Sequence, residues 1–323
     1  MPTWKSYRYR LEYAACSFLA WGIPKLSRGL CAKLARGLGT LIFWFDARGR
    51  AVALANLHAA LGERADARAI VRESYRQFVR TMFDLFWSPA LTKENVAQYI
   101  HHENLEVLAG LQTQKRGVIV MCVHNGGFEW ASLGAGFYGV NGMIVTEDFK
   151  NPALAEIFKG LREVSGHQII GQDGSILRLL KQVKRGGSSG VLIDLNLRPD
   201  QPAVVIDAMG MKMCVTFLHA VLADRGNAAL LPLESELRPD GTCRVRFHPP
   251  LEPAPGATPQ QIAQMCWDFY EPTIRAHPER WLWAYKHWRY KPKRTTREYP
   301  FYANESSKFE KLLKQMQAGS TGA

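Results

Sequence analysis

Along the first hundred residues, apolar side chains recur every three or four positions. That spacing predicts helices over Arg8–Ile23, Ser27–Trp44, Ala51–Gly62 and Ala65–Trp87. In the last of these, Ile70, Tyr75, Phe78, Met82, Phe83 and Phe86 form a wide apolar stripe. Arg68, Arg72, Arg76 and Arg80 are expected to make the solvated face opposite. Between residues 25 and 45, Lys25, Arg28, Lys33 and Arg36 punctuate Leu30, Leu34, Leu38, Leu41, Ile42, Trp44 and Phe45. A basic amphipathic helix of this kind suits a place in the plane of a membrane surface, although the same face could pack onto the rest of the chain.

From Asn104 the pattern changes. A helix over Leu105–Gln112 is followed by Val118–Val123, an unbroken apolar run of strand length. Similar runs follow at Met143–Val145, Gly190–Leu195 and Ala228–Leu233, with helices expected at Glu129–Tyr138, Pro152–Val164, Ser175–Val183 and Phe217–Asp224. Buried strands alternating with helices predict an α/β domain with a mainly parallel central sheet flanked by helices. Arg244–His248, reached through the turn Arg238-Pro239-Asp240-Gly241, is expected to be an antiparallel edge strand. A helix over Pro259–Ile274 and an aromatic-basic stretch, Trp281–Lys293, close the domain. The organisation expected is a helical, membrane-associating region over 1–100, the α/β domain over 101–297, and a loose polar tail over 298–323.

Composition narrows the function classes. With 47% hydrophobic and 22% charged residues, the 323-residue chain can bury a large core, which excludes disorder as its main state. The formal charge of +12 calls for an anionic partner. Residues 1–50 and 274–323 each carry +7, and the middle is about −2. A uniformly coated nucleic-acid binder would not look like this, so a lipid surface is the favoured polyanion and nucleic acid is not expected. The six cysteines are scattered, which excludes a disulfide scaffold and the usual zinc patterns and reads as free thiols in a reducing compartment. No cleavable signal peptide is evident, and the longest early apolar run, Ala14–Ile23, is about half of what a spanning helix needs. Nine tryptophans favour a membrane interface, so peripheral or monotopic binding is expected.

The chemistry concentrates in Val123-His124-Asn125-Gly126-Gly127-Phe128-Glu129-Trp130. His124 stands where an apolar strand ends, two glycines permit a tight turn, and Glu129 falls in the first turn of the next helix. Ligands of parallel sheets bind beyond the carboxyl ends of strands. The turn lets the Glu129 carboxylate come back to His124 and hold one ring nitrogen, leaving the other as a general base. No H-E-x-x-H or G-x-S-x-G motif accompanies it, and Gly186–Gly190 precedes a strand, the wrong order for a phosphate loop. His101, His102, His219, His248 and His287 have no partner spacing and are expected to be structural.

His124–Glu129 resembles the H-x4-D/E box of glycerolipid-type acyltransferases, and the chain from about residue 8 to 294 is similar to the late acyltransferases of bacterial lipid A biosynthesis. Asn56-Leu57, Asn151-Pro152-Ala153-Leu154 with Arg162 and Gly166, Asp194, Gly210 with Thr216, Leu231-Pro232, and Trp281-Leu282-Trp283 with Trp288-Arg289 follow in that family's order. Three positions depart from it: Leu195-Asn196 after the aspartate, Ala208-Met209 before Gly210, and Thr146-Glu147 where a basic residue is usual.

The resemblance implies an O-acyltransferase that moves a fatty acyl chain from an acyl carrier protein or coenzyme A thioester to a hydroxyl of a phosphorylated glycolipid, a lipid A precursor. It places the enzyme on the cytoplasmic face of the bacterial inner membrane. His124 would be the base and Glu129 its orienter. Asn125, Gly126 and Gly127 would line the substrate site, with the turn's backbone N–H groups receiving the oxyanion. Arg162 would bind a phosphate, and Asp194 would order Arg162 or the acceptor sugar. No metal or cofactor is called for, since the thioester supplies the leaving group. The Trp281–Arg294 stretch would meet anionic headgroups or an acidic carrier protein. The alternatives are the same reaction on a lysophospholipid or a mannosylated phosphoinositide, and a non-enzymatic protein that binds anionic membranes.

Overall fold

The computed structural model describes residues 4–140, 142–146 and 149–320; Glu147, at one of the three departures, lies outside them. Seven strands form the central sheet: β1 (Ile100–Glu103), β2 (Val118–Cys122), β3 (Gly142–Val145), β4 (Gln168–Ile170), β5 (Ser188–Leu192), β8 (Ala229–Leu237) and β9 (Cys243–Phe247). Their order is β1-β9-β8-β2-β5-β3-β4, and only β8 and β9 pair antiparallel. Strands β6 (Ala203–Ala208) and β7 (Met211–Thr216) form a separate hairpin.

Four helices precede the sheet: α1 (Trp4–Gly22), α2 (Arg28–Phe45), α3 (Ala47–Leu61) and α4 (Ala67–Trp87). Those that follow are α5 (Val96–Tyr99), α6 (Leu105–Thr113), α7 (Phe128–Phe137), α8 (Pro152–Glu163), α9 (Ser175–Lys184), α10 (Leu218–Gly226), α11 (Pro259–Ala276) and α12 (Ser307–Ser320).

The unbroken apolar run of β2 follows from burial on both faces. Ile119, Met121 and Val123 join a core that contains Trp267 and Tyr270 of α11. Val118 joins the opposite core with Trp130 and Leu133 of α7 and Leu161 of α8. Helix α11 starts at a capping box made by Thr258 and Gln261.

Helix α4 contributes to both cores, with Ile70, Val71 and Tyr75 on one side and Leu85, Phe86 and Trp87 on the other. Its arginine row is not a continuous solvated face: of the four, Arg68 alone is exposed. Arg80 is buried against Asp84, and Arg76 reaches Thr40 and Glu73, because α2 covers that side of the helix. Helix α2 turns its small residues inward: Cys31, Ala35 and Gly39 are buried, and a Cβ on Gly39 would stand 2.6 Å from the Arg76 Cα. Its leucines Leu30, Leu34, Leu38 and Leu41 point outward with Trp44 and Phe45, and α1 adds exposed Trp4, Tyr7, Leu11, Phe18 and Trp21. Among the described residues no helix is long and apolar enough to cross a membrane.

Two further expectations are corrected. Strand β9 is not an edge, since β1 pairs beyond it and Glu103 meets Arg246 across the join. The four residues Ile-His-His-Glu hold too few apolar side chains for β1 to stand out in sequence. Within the segment expected to be loose, Ser307–Ser320 form α12, whose Phe309 and Leu313 pack on Ala203, Val205 and Cys214 of the hairpin. Periodicity does not predict that hairpin, and its apolar outer face is what orders the tail.

Candidate active site

His124 follows β2 by two residues and is held through its backbone. Its carbonyl accepts from Leu282 N (3.1 Å), Asn125 bridges to Trp281, and Gly126 N donates to Arg280 O (3.1 Å). From other directions, Thr81 Oγ1 donates to Gly126 O (2.7 Å) and Ser235 Oγ donates to Asn125 O (3.1 Å). The turn needs its glycine: Gly126 has φ +58°, and a Cβ there would lie 2.3 Å from Ser235 O. Helix α7 then begins, with Gly127 as its cap and no side chain over its first amides. The Gly126 N–H is committed to Arg280 O, so of the two turn glycines foreseen to receive the oxyanion this one has no free amide.

Asp194 supplies the partner of His124. Its Oδ1 lies 2.8 Å from His124 Nδ1, and its Oδ2 accepts from the backbone N of His124 (3.0 Å) and from Trp281 Nε1 (2.9 Å). The origin of this contact is the sheet register. Parallel pairing sets Val118 beside Ser188 and Cys122 beside Leu192, and the same offset of 70 residues continues to His124 and Asp194.

Glu129 does not hold the imidazole. Its carboxylate is taken by Arg162 of α8, with Nε–Oε2 at 3.0 Å and Nη2–Oε1 at 2.5 Å. A helix-start carboxylate within reach of a guanidinium fork forms the charge-assisted pair in preference. Arg162 is thereby spoken for by two of its nitrogens, and Asp194 orders His124 instead of Arg162.

These charges set the site's electrostatics. Burial disfavours the His124 imidazolium, but the charge and hydrogen bond of Asp194 outweigh it, Glu129 adds to them, and Arg162 opposes. The result is a pKa above the usual histidine value. Burial likewise opposes the ionised form of Asp194, yet the interaction with His124 holds its carboxyl below the ordinary range. Glu129 is balanced by Arg162, whereas the donors on Asp194 other than His124's ring are neutral dipoles. The Asp194 charge therefore remains available to an imidazolium.

The aromatic-basic stretch divides. Trp281, Trp283 and Trp288 are fully buried and cannot form a surface patch, while Lys286 and Arg289 are exposed. The Tyr285 ring lies 6.4 Å from that of His124, and the Phe128 ring meets the imidazole edge-on at 5.0 Å. His287 is buried beneath Trp281. Asn56 ties its helix to this stretch by donating to the carbonyls of Trp283 and Tyr285, each at 2.8 Å. Asn151 caps α8 and donates to Tyr9 O (3.0 Å) and Glu12 (3.1 Å) of α1. Asn196, at a departure from the family pattern, donates to His287 O (2.6 Å).

A partly exposed histidine held by a buried carboxylate on adjacent strand ends, next to a helix N-terminus, suits general-base chemistry with stabilisation of a developing negative charge. Comparison with known families matches residues 3–290 to "Bacterial lipid A biosynthesis acyltransferase". The chain belongs to the bacterial lipid A biosynthesis acyltransferase family. It is therefore an acyltransferase, and the match spans the sheet, both cores and all the residues of the site described above. No curated protein sequence matches the chain. Sequence spacing is enough to single out His124 at the strand end. The ring partner it names is the wrong carboxylate, because Glu129 is near in sequence and Asp194 is near in register.

Proposed function

We propose that this acyltransferase moves a fatty acyl group from the thioester of acyl carrier protein or coenzyme A to a hydroxyl of a phosphorylated glycolipid, a lipid A precursor. The observation that carries the chemistry is the His124 Nδ1–Asp194 contact. With Nδ1 as the donor to a carboxylate, Nε2 keeps its lone pair and acts as the general base.

The acceptor hydroxyl gives its proton to Nε2 as its oxygen attacks the thioester carbonyl. The carbonyl oxygen becomes an oxyanion, stabilised by the amides of Gly127 and Phe128 at the positive end of α7. Collapse re-forms the carbonyl, breaks the C–S bond and expels the thiolate, which takes the proton back from the imidazolium. Asp194 stabilises that imidazolium. The Glu129–Arg162 pair fixes the guanidinium beside the site, where its Nη1 is left to meet an anionic oxygen of the acceptor or donor. Asn125 and Gly126 contribute as the backbone that sets His124.

The exposed apolar faces of α1 and α2, flanked by Lys25, Lys33 and Arg36, support a place on an anionic membrane surface, as expected for the cytoplasmic face of the inner membrane. Each leucine that enters lipid is worth on the order of 1–3 kcal/mol. Replacing Leu34, Leu38 and Leu41 together by glutamine is therefore expected to weaken sedimentation with phosphatidylglycerol vesicles by about a hundredfold or more. Unchanged sedimentation would remove this face from the interface.

The acceptor is tested in cells. Mass spectrometry of lipid A from cells lacking the protein is expected to show one acyl chain fewer, restored by the intact gene but not by His124→Ala. Unaltered lipid A with an altered phospholipid or phosphoinositide mannoside would reassign the acceptor.

A further inference from the structure

We propose that Trp281 is a positioning residue for acyl transfer, its indole N–H fixing the Asp194 carboxylate so that one oxygen is left to face His124. This rests on His124 acting as the base. Asp194 is fully buried, so each oxygen must find its donors within the protein. Oδ2 has two, the His124 backbone N at 3.0 Å and Trp281 Nε1 at 2.9 Å. Oδ1 has the imidazole Nδ1 at 2.8 Å. The two neutral donors pin Oδ2, and a planar carboxylate pinned at one oxygen has a fixed direction at the other. Without the indole, Oδ2 keeps a single donor and the group can rotate away from the ring.

The indole can serve in this way because it cannot itself move. Trp281 is fully buried, stacked on His287 at 3.9 Å between ring centroids and 20° between planes, with Trp283 set edge-on at 4.8 Å. Its carbonyl accepts from Ser74 Oγ on α4, and its backbone bridges to Asn125 beside the histidine. The residue that holds Asp194 thus also borders His124 through the main chain, which fixes the distance between the two.

His287 completes the arrangement. It donates through Nε2 to Leu282 O (2.9 Å), and burial pushes its pKa down to about 4, so it stays neutral where His124 titrates. The stacked ring supports Trp281 without offering Asp194 a competing cation.

Replacing Trp281 by benzothienylalanine, which keeps the bicyclic shape and lacks the N–H, isolates the hydrogen bond; Trp281→Phe is the simpler variant. Either is expected to lower kcat about tenfold and leave KM for both substrates within about twofold. With the carboxylate free to turn away, the imidazolium loses part of its stabilisation, so the acidic limb of kcat/KM should move to lower pH by roughly half a unit to one unit. In an Asp194→Ala background the same replacement is expected to change kcat by less than about twofold.

Unchanged kcat and pH limb in the folded benzothienylalanine protein would overturn the proposal. So would a loss confined to KM, or a tenfold loss that persists without Asp194. Wild-type protein that transfers no acyl group would instead overturn the function on which the proposal rests.

Discussion

Asp194→Asn is expected to reduce acyl transfer at neutral pH by about 10²–10⁴, close to the loss from His124→Ala. The reason is directional. The asparagine side chain would offer an amide N–H as readily as a carbonyl, and a donor at Nδ1 turns the ring so that Nε2 carries the proton and no longer accepts one. The substitution also removes the charge that stabilises the imidazolium. The pH dependence separates this from unfolding. The His124 pKa lies above the ordinary value, and only the neutral ring is a base, so wild-type activity falls as pH drops through a pKa above about 6.5. Without Asp194 the limb moves to lower pH, while the plateau is far lower. Glu129→Gln acts by another route. It strands Arg162, whose charge lowers the basicity of His124, and Glu129→Gln with Arg162→Met should return the limb towards its wild-type position. Rate against pH with a radiolabelled acyl thioester measures all of these. A folded Asp194→Asn protein within tenfold of wild type would refute the assignment.

The contrast between the two carboxylates shows what periodicity and spacing carry. His124 was legible because its environment is local: an apolar run ends, two glycines follow, and a helix starts. The partner was not legible from spacing alone, because it depends on which strands are neighbours. Once β2 and β5 are adjacent and parallel, His124 and Asp194 stand at equal distances beyond their apolar runs and must meet. Trp281 is further removed, since its indole reaches Asp194 from a segment with no regular structure. The α/β architecture and the long helices follow from patterning that burial on two faces imposes. The short strands β1 and β4 and the hairpin do not, having few residues or a face covered only by the last helix. The arginine row of α4 is misleading for a related reason. Nothing local to that helix says that the small-residue side of α2 will cover it.

That cover contains a cluster of buried charges, and Asp84→Asn is expected to destabilise the fold by about 3–5 kcal/mol. Arg28 of α2 and Arg80 of α4 both bond to Asp84 Oδ1, and all three side chains are buried. Arg28 also donates to Gly241 O at 3.2 Å from both Nε and Nη2, and lies over the rings of Trp130 (4.4 Å) and Trp87 (4.9 Å). Neutralising Asp84 leaves two guanidinium groups facing each other without a counter-charge, which costs more than the original pair contributed. Arg28→Met removes one cation and leaves Arg80–Asp84 as a neutral pair, so it should cost less despite losing the bonds to Gly241. Thermal unfolding should show the Asp84→Asn midpoint lower by on the order of 5–10 °C, with Arg28→Met between it and wild type. A midpoint within about 2 °C of wild type, or the reverse order, would show that the cluster is not what fixes α2. The same helix α4 carries Thr81, whose hydroxyl donates to Gly126 O, and the Asp84 carbonyl accepts from Trp130 Nε1 (2.6 Å) at the start of α7. Loosening α4 therefore displaces the turn that aims His124. Activity should fall at temperatures where most of the Asp84→Asn protein is still folded, which links the outer helix α2 to the histidine through one buried carboxylate.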